Sequence, residues 1–259
     1  MAKPKYREIL KQELSHKGII PFIGVYDVFS ASIVANYYNY LFLIGFGFAA
    51  SFYGLPDIGF IAWSNMVSYV QPLRAVLPNH LFVVDMNDGY GDSDIAAHVT
   101  MRLESAGASG VVLEDQKRPR RCGHLDGKEL LPIDQYLDKL NRVLEARREI
   151  FVVARTDATD YGDIQRRAEA YASVGPDAVL VDSLGDFSLI RELKEHITCP
   201  IVYYQITGGK TSLLKLADLK KEGVSMVIYS APCLFPAQAA IEKAMRSLKK
   251  INRGLIKVA

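Results

Sequence analysis

The segment Glu114–Leu130, EDQKRPRRCGHLDGKEL, is the most informative run in this 259-residue chain. Glu114 and Asp115 close an apolar stretch (GVVLED), Cys122 follows among arginines, and His124 stands two positions further on. Carboxylates at the end of a buried strand offer hard oxygen ligands to a metal ion. Positive charge at Arg120, Arg121 and His124 favours the ionised form of a neighbouring thiol, so Cys122 is expected to lean toward thiolate. A metal site beside a poised thiol describes a reactive centre. His124 reads either as a general acid/base or as a hydrogen-bonding brace for its loop.

Other charges sit in comparable places: Asp85 follows LFVV, Arg155 follows FVVA and Asp182 follows AVLV. The elements that must position them are short apolar runs alternating with helical patterns. Strands are expected at Ile19–Val25, Tyr40–Gly45, Leu81–Met86, Gly110–Glu114, Phe151–Arg155, Ala178–Asp182, Ile201–Gln205 and Met226–Ser230. They lack the clean alternation of half-exposed strands and suit a buried parallel sheet. Ile95, Val99 and Leu103 fall on one helical face, as do Leu137, Leu140 and Leu144. Gly107, Gly175 and Gly223 each end a charged amphipathic stretch just before a strand. A last helix is expected over Ala237–Ile251. Eight such units over residues 1–259 predict a single α/β domain, a (β/α)8 TIM-type barrel, whose strand ends deliver charge to one mouth. An open doubly wound sheet would show fewer strands and a glycine-rich first turn, which this chain lacks.

Composition narrows the function classes. Hydrophobic residues make up 49% of the chain and the formal net charge is +2 with both signs interspersed, which implies no nucleic-acid or membrane partner. Three cysteines, Cys122, Cys199 and Cys233, are too few for a disulfide framework, and the charged N-terminal segment has no apolar signal core. A cytoplasmic protein is expected. The loop Lys117–Leu131 is long enough to act as a mobile active-site lid. Cys199 and Cys233 suit packing, and His16, His80, His98 and His196 suit solvent. The Tyr37–Tyr40 cluster is expected to pack at the base of the barrel.

Six motifs, GLPDIG (54–59), DMNDGYGD (85–92), GVVLEDQ (110–116), RRCGHLDGKEL (120–130), ARTDA (154–158) and GGKT (208–211), resemble the isocitrate lyase/phosphoenolpyruvate mutase superfamily in order and spacing. The Cys-Gly-His loop is similar to the lyase branch, including the methylisocitrate lyase-like and oxaloacetate hydrolase-like members. The resemblance implies a (β/α)8 barrel, often a tetramer or dimer of dimers, with the last helix swapped between subunits. It implies Mg2+, with Mn2+ as an alternative, held at Asp85, Asn87 and Glu114, with Asp57 an acidic neighbour linked through water. It further implies Cys122 as general acid, with Arg120 and His124 in the catalytic loop. Arg155 would grip a carboxylate or phosphate of a small acid bounded by Gly45, Phe46, Gly47, Asp182 and Tyr204. Glycines at positions 45 and 47 let backbone N–H groups approach that acid.

The chain departs from the family pattern at several pocket positions. Phe42-Leu43-Ile44-Gly45 replaces a Tyr-x-Ser-Gly sequence, and Arg120 replaces a lysine. Asp182 shortens a glutamate, Tyr204 and Thr207 replace an asparagine and a glutamate, and Asn87 replaces an aspartate. These changes remove polar groups that would hold additional carboxylates and predict a smaller acid or one with an apolar arm. The expected activity is a Mg2+-dependent carbon–carbon lyase, in retro-aldol or reverse condensation, acting on a 2-hydroxy or 2-oxo acid. Phosphoenolpyruvate/phosphonopyruvate-type chemistry and a non-catalytic acid-binding barrel are the alternatives.

Overall fold

The computed structural model describes residues 5–123, 127–182, 188–206 and 213–252. His124, Thr207 and the GGKT motif lie outside these residues. Eight parallel strands close on themselves in chain order: β1 (Ile20–Val25), β2 (Tyr40–Leu43), β3 (Leu81–Asp85), β4 (Gly110–Glu114), β5 (Phe151–Thr156), β6 (Ala178–Val181), β7 (Ile201–Gln205) and β8 (Val224–Tyr229). The ring closes through β1 and β8, with Phe22 opposite Ile228. Helix α1 (Tyr6–Lys17) precedes the barrel, and α2 (Val28–Val34) follows β1. After β2 come the short α3 (Gly45–Phe48), a π-helical turn (Ala49–Tyr53) and α4 (Trp63–Val76). Then α5 (Ser93–Ala106), α6 (Ile133–Ala146), α7 (Tyr161–Ser173), α8 (Ser188–His196), α9 (Leu216–Lys221) and α10 (Leu234–Asn252) follow the successive strands. The expected (β/α)8 barrel is therefore the observed one.

Several boundaries differ from expectation for local reasons. Strand β2 stops at Leu43 because Gly45 opens α3, and β8 begins at Val224, before the expected Met226. Side chains of Asp27, Asp92 and Asp160 cap α2, α5 and α7 by accepting the backbone N–H three residues on. Gly107, Gly175 and Gly223 do adopt the left-handed conformation, at φ 103°, 88° and 93°.

Two apolar layers account for the continuous hydrophobicity of the strands. Phe42, Val83, Val112, Val153, Leu180, Val202 and Ile228 point into the barrel, and α1 closes the lower end with Tyr6, Leu10 and Leu14. Leu43, Val84, Val111, Val152, Val179 and Val227 point outward against the helices. Val99, Leu103 and Leu140 belong to that outer layer, whereas Ile95 is exposed and its expected place is taken by Ala96. At the base only Tyr40 is buried; Tyr37 and Tyr38 are exposed, so the tyrosine cluster does not pack as a unit. Cys199 and Cys233 are half-buried against the outer layer, as expected. His16, His98 and His196 are exposed, and His80 is only half-buried. Among the described residues no helix is long and apolar enough to cross a membrane.

Candidate active site

The two-residue period of a strand explains the mouth. Counting two residues past the last inward apolar side chain leads from Val83 to Asp85, Val112 to Glu114, Val153 to Arg155, Leu180 to Asp182 and Ile228 to Ser230. Asp85, Arg155, Asp182, Tyr204 and Ser230 line one cavity at the C-terminal end of the barrel, together with Ile44, Phe46, Asp57, Arg120, Cys122, Gly123 and Ile206. Six separate strand ends thus meet the loop that carries the thiol.

Arg120 and Arg121 take opposite paths. Arg120 is 3% exposed and bonds Glu114 Oε1 through Nε at 2.6 Å and Asp57 Oδ1 through Nη1 at 2.5 Å. Asp57, expected as an acidic neighbour of the metal linked through water, meets the Arg120 guanidinium directly. Arg121 is exposed, and among the described residues its backbone is held, with N–H and C=O each 2.8 Å from the Gln116 side chain. The thiol-activating arginine pair expected from the sequence is therefore split: one cation is claimed by carboxylates and the other faces outward. Cys122 itself is half-buried and borders the cavity.

Arg155 is anchored on one edge. Its Nε bonds Asp157 Oδ1 at 2.8 Å, while Nη2 makes longer contacts to Asp182 Oδ2 (3.2 Å) and Glu114 Oε2 (3.5 Å). The backbone of Gly123 lies on this pair, since an added Cβ would fall inside the Asp182 carboxylate and 2.6 Å from Arg155 Nη2. The strand-like bridge Gln116–Leu130 and the bond from Lys128 Nζ to Gly123 O seat the rest of the loop. The space left is about 40 Å³, room for one or two waters.

Among the described residues the carboxylates of Asp57, Asp85, Glu114, Asp157 and Asp182 surround the guanidiniums of Arg120 and Arg155. Negative charge is in excess. Burial pushes the Glu114 carboxyl up to about 8 and also raises Asp85, although both arginines pull the other way. Burial would lower Arg155, but Asp157, Asp182 and Glu114 outweigh it and hold the guanidinium above its ordinary value. For Asp157 burial is outweighed by Arg155, which keeps the carboxyl low.

This charge balance suits a divalent cation. Among the described residues Asn87 Oδ1 and Glu114 Oε2 are buried without a hydrogen-bond partner, the latter with only the long ionic contact to Arg155. A Cβ on Gly45 would stand 3.4 Å from Asp85 Oδ2 and 3.5 Å from Asn87 Oδ1, so both oxygens border the same small space. The backbone of Asn87, at φ 51°, turns back so that its N–H donates to Asp85 Oδ1 at 3.1 Å. Hard oxygen donors with surplus negative charge fit Mg2+ or Mn2+, with water and a ligand completing the shell. Among the described residues no three His, Cys, Asp or Glu side chains form a metal cage by themselves, so the amide of Asn87 belongs to the fit.

The remaining expected contacts divide. Ile44, Phe46 and Tyr204 form an apolar wall with Ile206, where Phe42 meets the Tyr204 ring edge-on at 5.7 Å and Phe46 packs on Phe235. Gly47 does not face the cavity; it is small because Ile44 and Tyr26 leave no room for a Cβ. Gln116, Asp157 and Ser230 were not singled out in the sequence. Ser230 ended an expected strand and Asp157 lies two residues past Arg155, which is the signal that finds both.

The family model described as phosphoenolpyruvate phosphomutase matches residues 10–249. The chain is similar to 2-methylisocitrate lyase of Bacillus subtilis, 30% identical over 92% of this chain and 79% of that protein. Its fold is similar to the crystal structure of 2,3-dimethylmalate lyase, with a TM-score of 0.90, 27% identity and coverage of 96% and 86% of the two chains. It is also similar to oxaloacetate acetylhydrolase in complex with the inhibitor 3,3-difluorooxalacetate, with a TM-score of 0.91, 25% identity and coverage of 100% and 90%.

Proposed function

The chain belongs to the phosphoenolpyruvate phosphomutase family, within the superfamily that includes isocitrate lyase, and from that premise we propose a Mg2+-dependent carbon–carbon lyase acting on a 2-hydroxy or 2-oxo acid with an apolar arm. The observation that carries this reading is the convergence of Cys122, Arg155 and Asp85 on one cavity beneath a close-fitting loop. The relatives named above supply the chemical class, that of carbon–carbon lyases.

Cleavage of a 2-hydroxy acid takes the proton from its hydroxyl as the carbon–carbon bond breaks, leaves an oxo acid, and requires a second proton on the carbon of the departing fragment. The Asp182 carboxylate in the cavity wall takes the first proton. Asp85, Asn87 and Glu114 would hold Mg2+, which when bound stabilises negative charge on the oxo-acid oxygens. The Nη edge of Arg155, held in place through Nε by Asp157, exchanges its longer contacts to Asp182 and Glu114 for a substrate carboxylate. Cys122 reaches the mouth as the loop seats and donates the proton. Water is excluded by the seated loop, which protects the carbanion from solvent. Ile44, Phe46, Tyr204 and Ile206 face the part of the substrate that bears no carboxylate. A third carboxylate would meet an apolar wall and surplus negative charge, a costly combination.

The protein also reads as a cytoplasmic homo-oligomer, a tetramer or dimer of dimers, with one folded domain per chain. Helix α10 supports this assembly: none of its described residues is buried, yet Ile241, Met245 and Leu248 form an apolar stripe at spacings of four and three. Docking of that stripe on a second subunit is the helix exchange expected from the resemblance.

The test is a panel of 2,3-dimethylmalate, 2-methylisocitrate, oxaloacetate and phosphonopyruvate with Mg2+, read as release of the oxo-acid product. Cleavage of 2,3-dimethylmalate in preference to the tricarboxylate is expected. Release of phosphate from phosphonopyruvate alone would replace the lyase with phosphonate chemistry, and binding without turnover of any acid would leave a non-catalytic barrel.

A further inference from the structure

Gln116 occupies a position between the two halves of the site. It is 1% exposed, and its amide makes three bonds that leave no part of it idle. Oε1 accepts from the Arg121 N–H at 2.8 Å, while Nε2 donates to the Arg121 carbonyl at 2.8 Å and to Asp157 Oδ2. The other oxygen of Asp157 accepts from Arg155 Nε at 2.8 Å. Asp157 is itself fixed from below, where its N–H donates to Asp115 Oδ1 at 3.0 Å. Asp115 is bonded in turn by Thr156, Tyr171 and Arg167. With Asp157 tied below in this way, a continuous hydrogen-bonded path runs from the guanidinium through Asp157 and the Gln116 amide to the backbone of Arg121.

A second contact joins the same partners at the other end of the thiol. Gly123 rests on Arg155 Nη2 and Asp182 Oδ2 with no space for a side chain. Cys122 is therefore bracketed: its preceding residue is held by the amide of Gln116, and its following residue stands on the guanidinium that Gln116 reaches through Asp157. A shorter side chain would not span this gap, and an apolar one would release the Arg121 N–H and C=O and leave one oxygen of the buried Asp157 unmatched.

We propose that Gln116 is a positioning residue that couples occupancy of Arg155 by a carboxylate to the seating of Cys122 over the mouth. This rests on the reading of Arg155 as the carboxylate-holding group. An anion on the Nη edge releases Asp182 and Glu114 from Arg155 and leaves Nε–Asp157 as its chief protein contact, so the guanidinium, Asp157, the amide and the Arg121 backbone tighten as one chain. The expected gain is order in the loop when the site is loaded, beyond any contact the ligand makes with Cys122.

Amide hydrogen exchange at Arg121, with oxalate and Mg2+ as the probe, tests the coupling. Oxalate has the shape and charge of a pyruvate enolate and is too small to reach Arg121 itself. In the wild type, saturating oxalate should slow exchange of the Arg121 amide by about tenfold or more. In Gln116→Met, which keeps the length of the side chain without its bonds, that amide should exchange at least tenfold faster and respond no longer to oxalate. Oxalate affinity by calorimetry should stay within about threefold and the unfolding midpoint within a few degrees. Retention of the oxalate response in a folded Gln116→Met would overturn the coupling, as would wild-type binding of oxalate with no slowing at Arg121. If the wild type does not bind oxalate, the carboxylate-holding role of Arg155 falls and the coupling with it. Because the wild-type arm needs no substitution, failure of Gln116→Met to fold does not prevent a decision.

Discussion

The backbone of Gly123 stands on the guanidinium of Arg155, so close that a single methyl group would reach within 2.6 Å of Nη2. Gly123→Ala should leave the barrel folded, because the strain falls on a loop residue, but should keep the Cys122 segment from seating. A displacement of about 1 Å near the chemistry costs roughly a hundredfold, and a loss of that order in kcat/KM is expected. The measurement is steady-state kinetics beside a thermal melt; full activity with an unchanged melt would show that the loop does not need this fit.

Cys122→Ser should reduce turnover by roughly two to four orders of magnitude, the range for a positioned proton donor, with KM little changed. Serine keeps the size of the group and loses the acidity. Undiminished kcat on whichever acid the enzyme cleaves would remove Cys122 from the proton-transfer step.

Asp85→Ala should abolish Mg2+ binding measured by calorimetry in the presence of oxalate. Asn87→Asp should tighten it on the order of tenfold, about 1.4 kcal/mol, since it adds the charge that the amide lacks. The same substitution should lower the melting temperature of the metal-free protein, where it places one more carboxylate among five. Equal Mg2+ affinity in Asp85→Ala and the wild type would refute the site.

The metal-free protein should lose stability as pH rises. Burial holds Glu114 near 8 in the folded chain against an ordinary 4.5, so between these values the folded state keeps a proton that the unfolded state has released. Its contribution is full below about pH 4.5 and fades as pH passes through 8. A melt series from pH 5.5 to 9 should therefore fall with pH, and Glu114→Gln should flatten the slope. A slope unaffected by Glu114→Gln would assign the effect elsewhere.

Helix α10 should govern assembly. Ile241 is 62% and Leu248 50% exposed, and replacing both with Asp should yield a smaller species by sedimentation while the melt of the barrel persists. An unchanged sedimentation coefficient would separate α10 from the subunit interface.

The barrel was legible because buried parallel strands are short continuous apolar runs, and because Asp85, Glu114, Arg155 and Asp182 interrupt that pattern where each strand reaches the mouth. The direction of each apolar side chain was not legible. Val83 and Val84 are equally hydrophobic, yet one fills the barrel and the other packs on helices. The loop was harder. Adjacent arginines of identical chemistry part company because the backbone at Arg121 is held by Gln116, and only the folded path decides which one is buried. Gly47 could not be assigned from sequence, because crowding by Ile44 and Tyr26 demands the same residue type as a close approach to an anion. Gln116 left no signal of its own, since its partners are a backbone and an aspartate forty-one residues away.

Helix α1 corks the far end of the barrel with Tyr6, Leu10 and Leu14, and the interior between is solid with side chains. Among the described residues the cavity therefore opens at the C-terminal end of the barrel alone. Both fragments of a cleaved acid must leave through the opening by which the acid arrived, past the same seated glycine, and they must leave in turn.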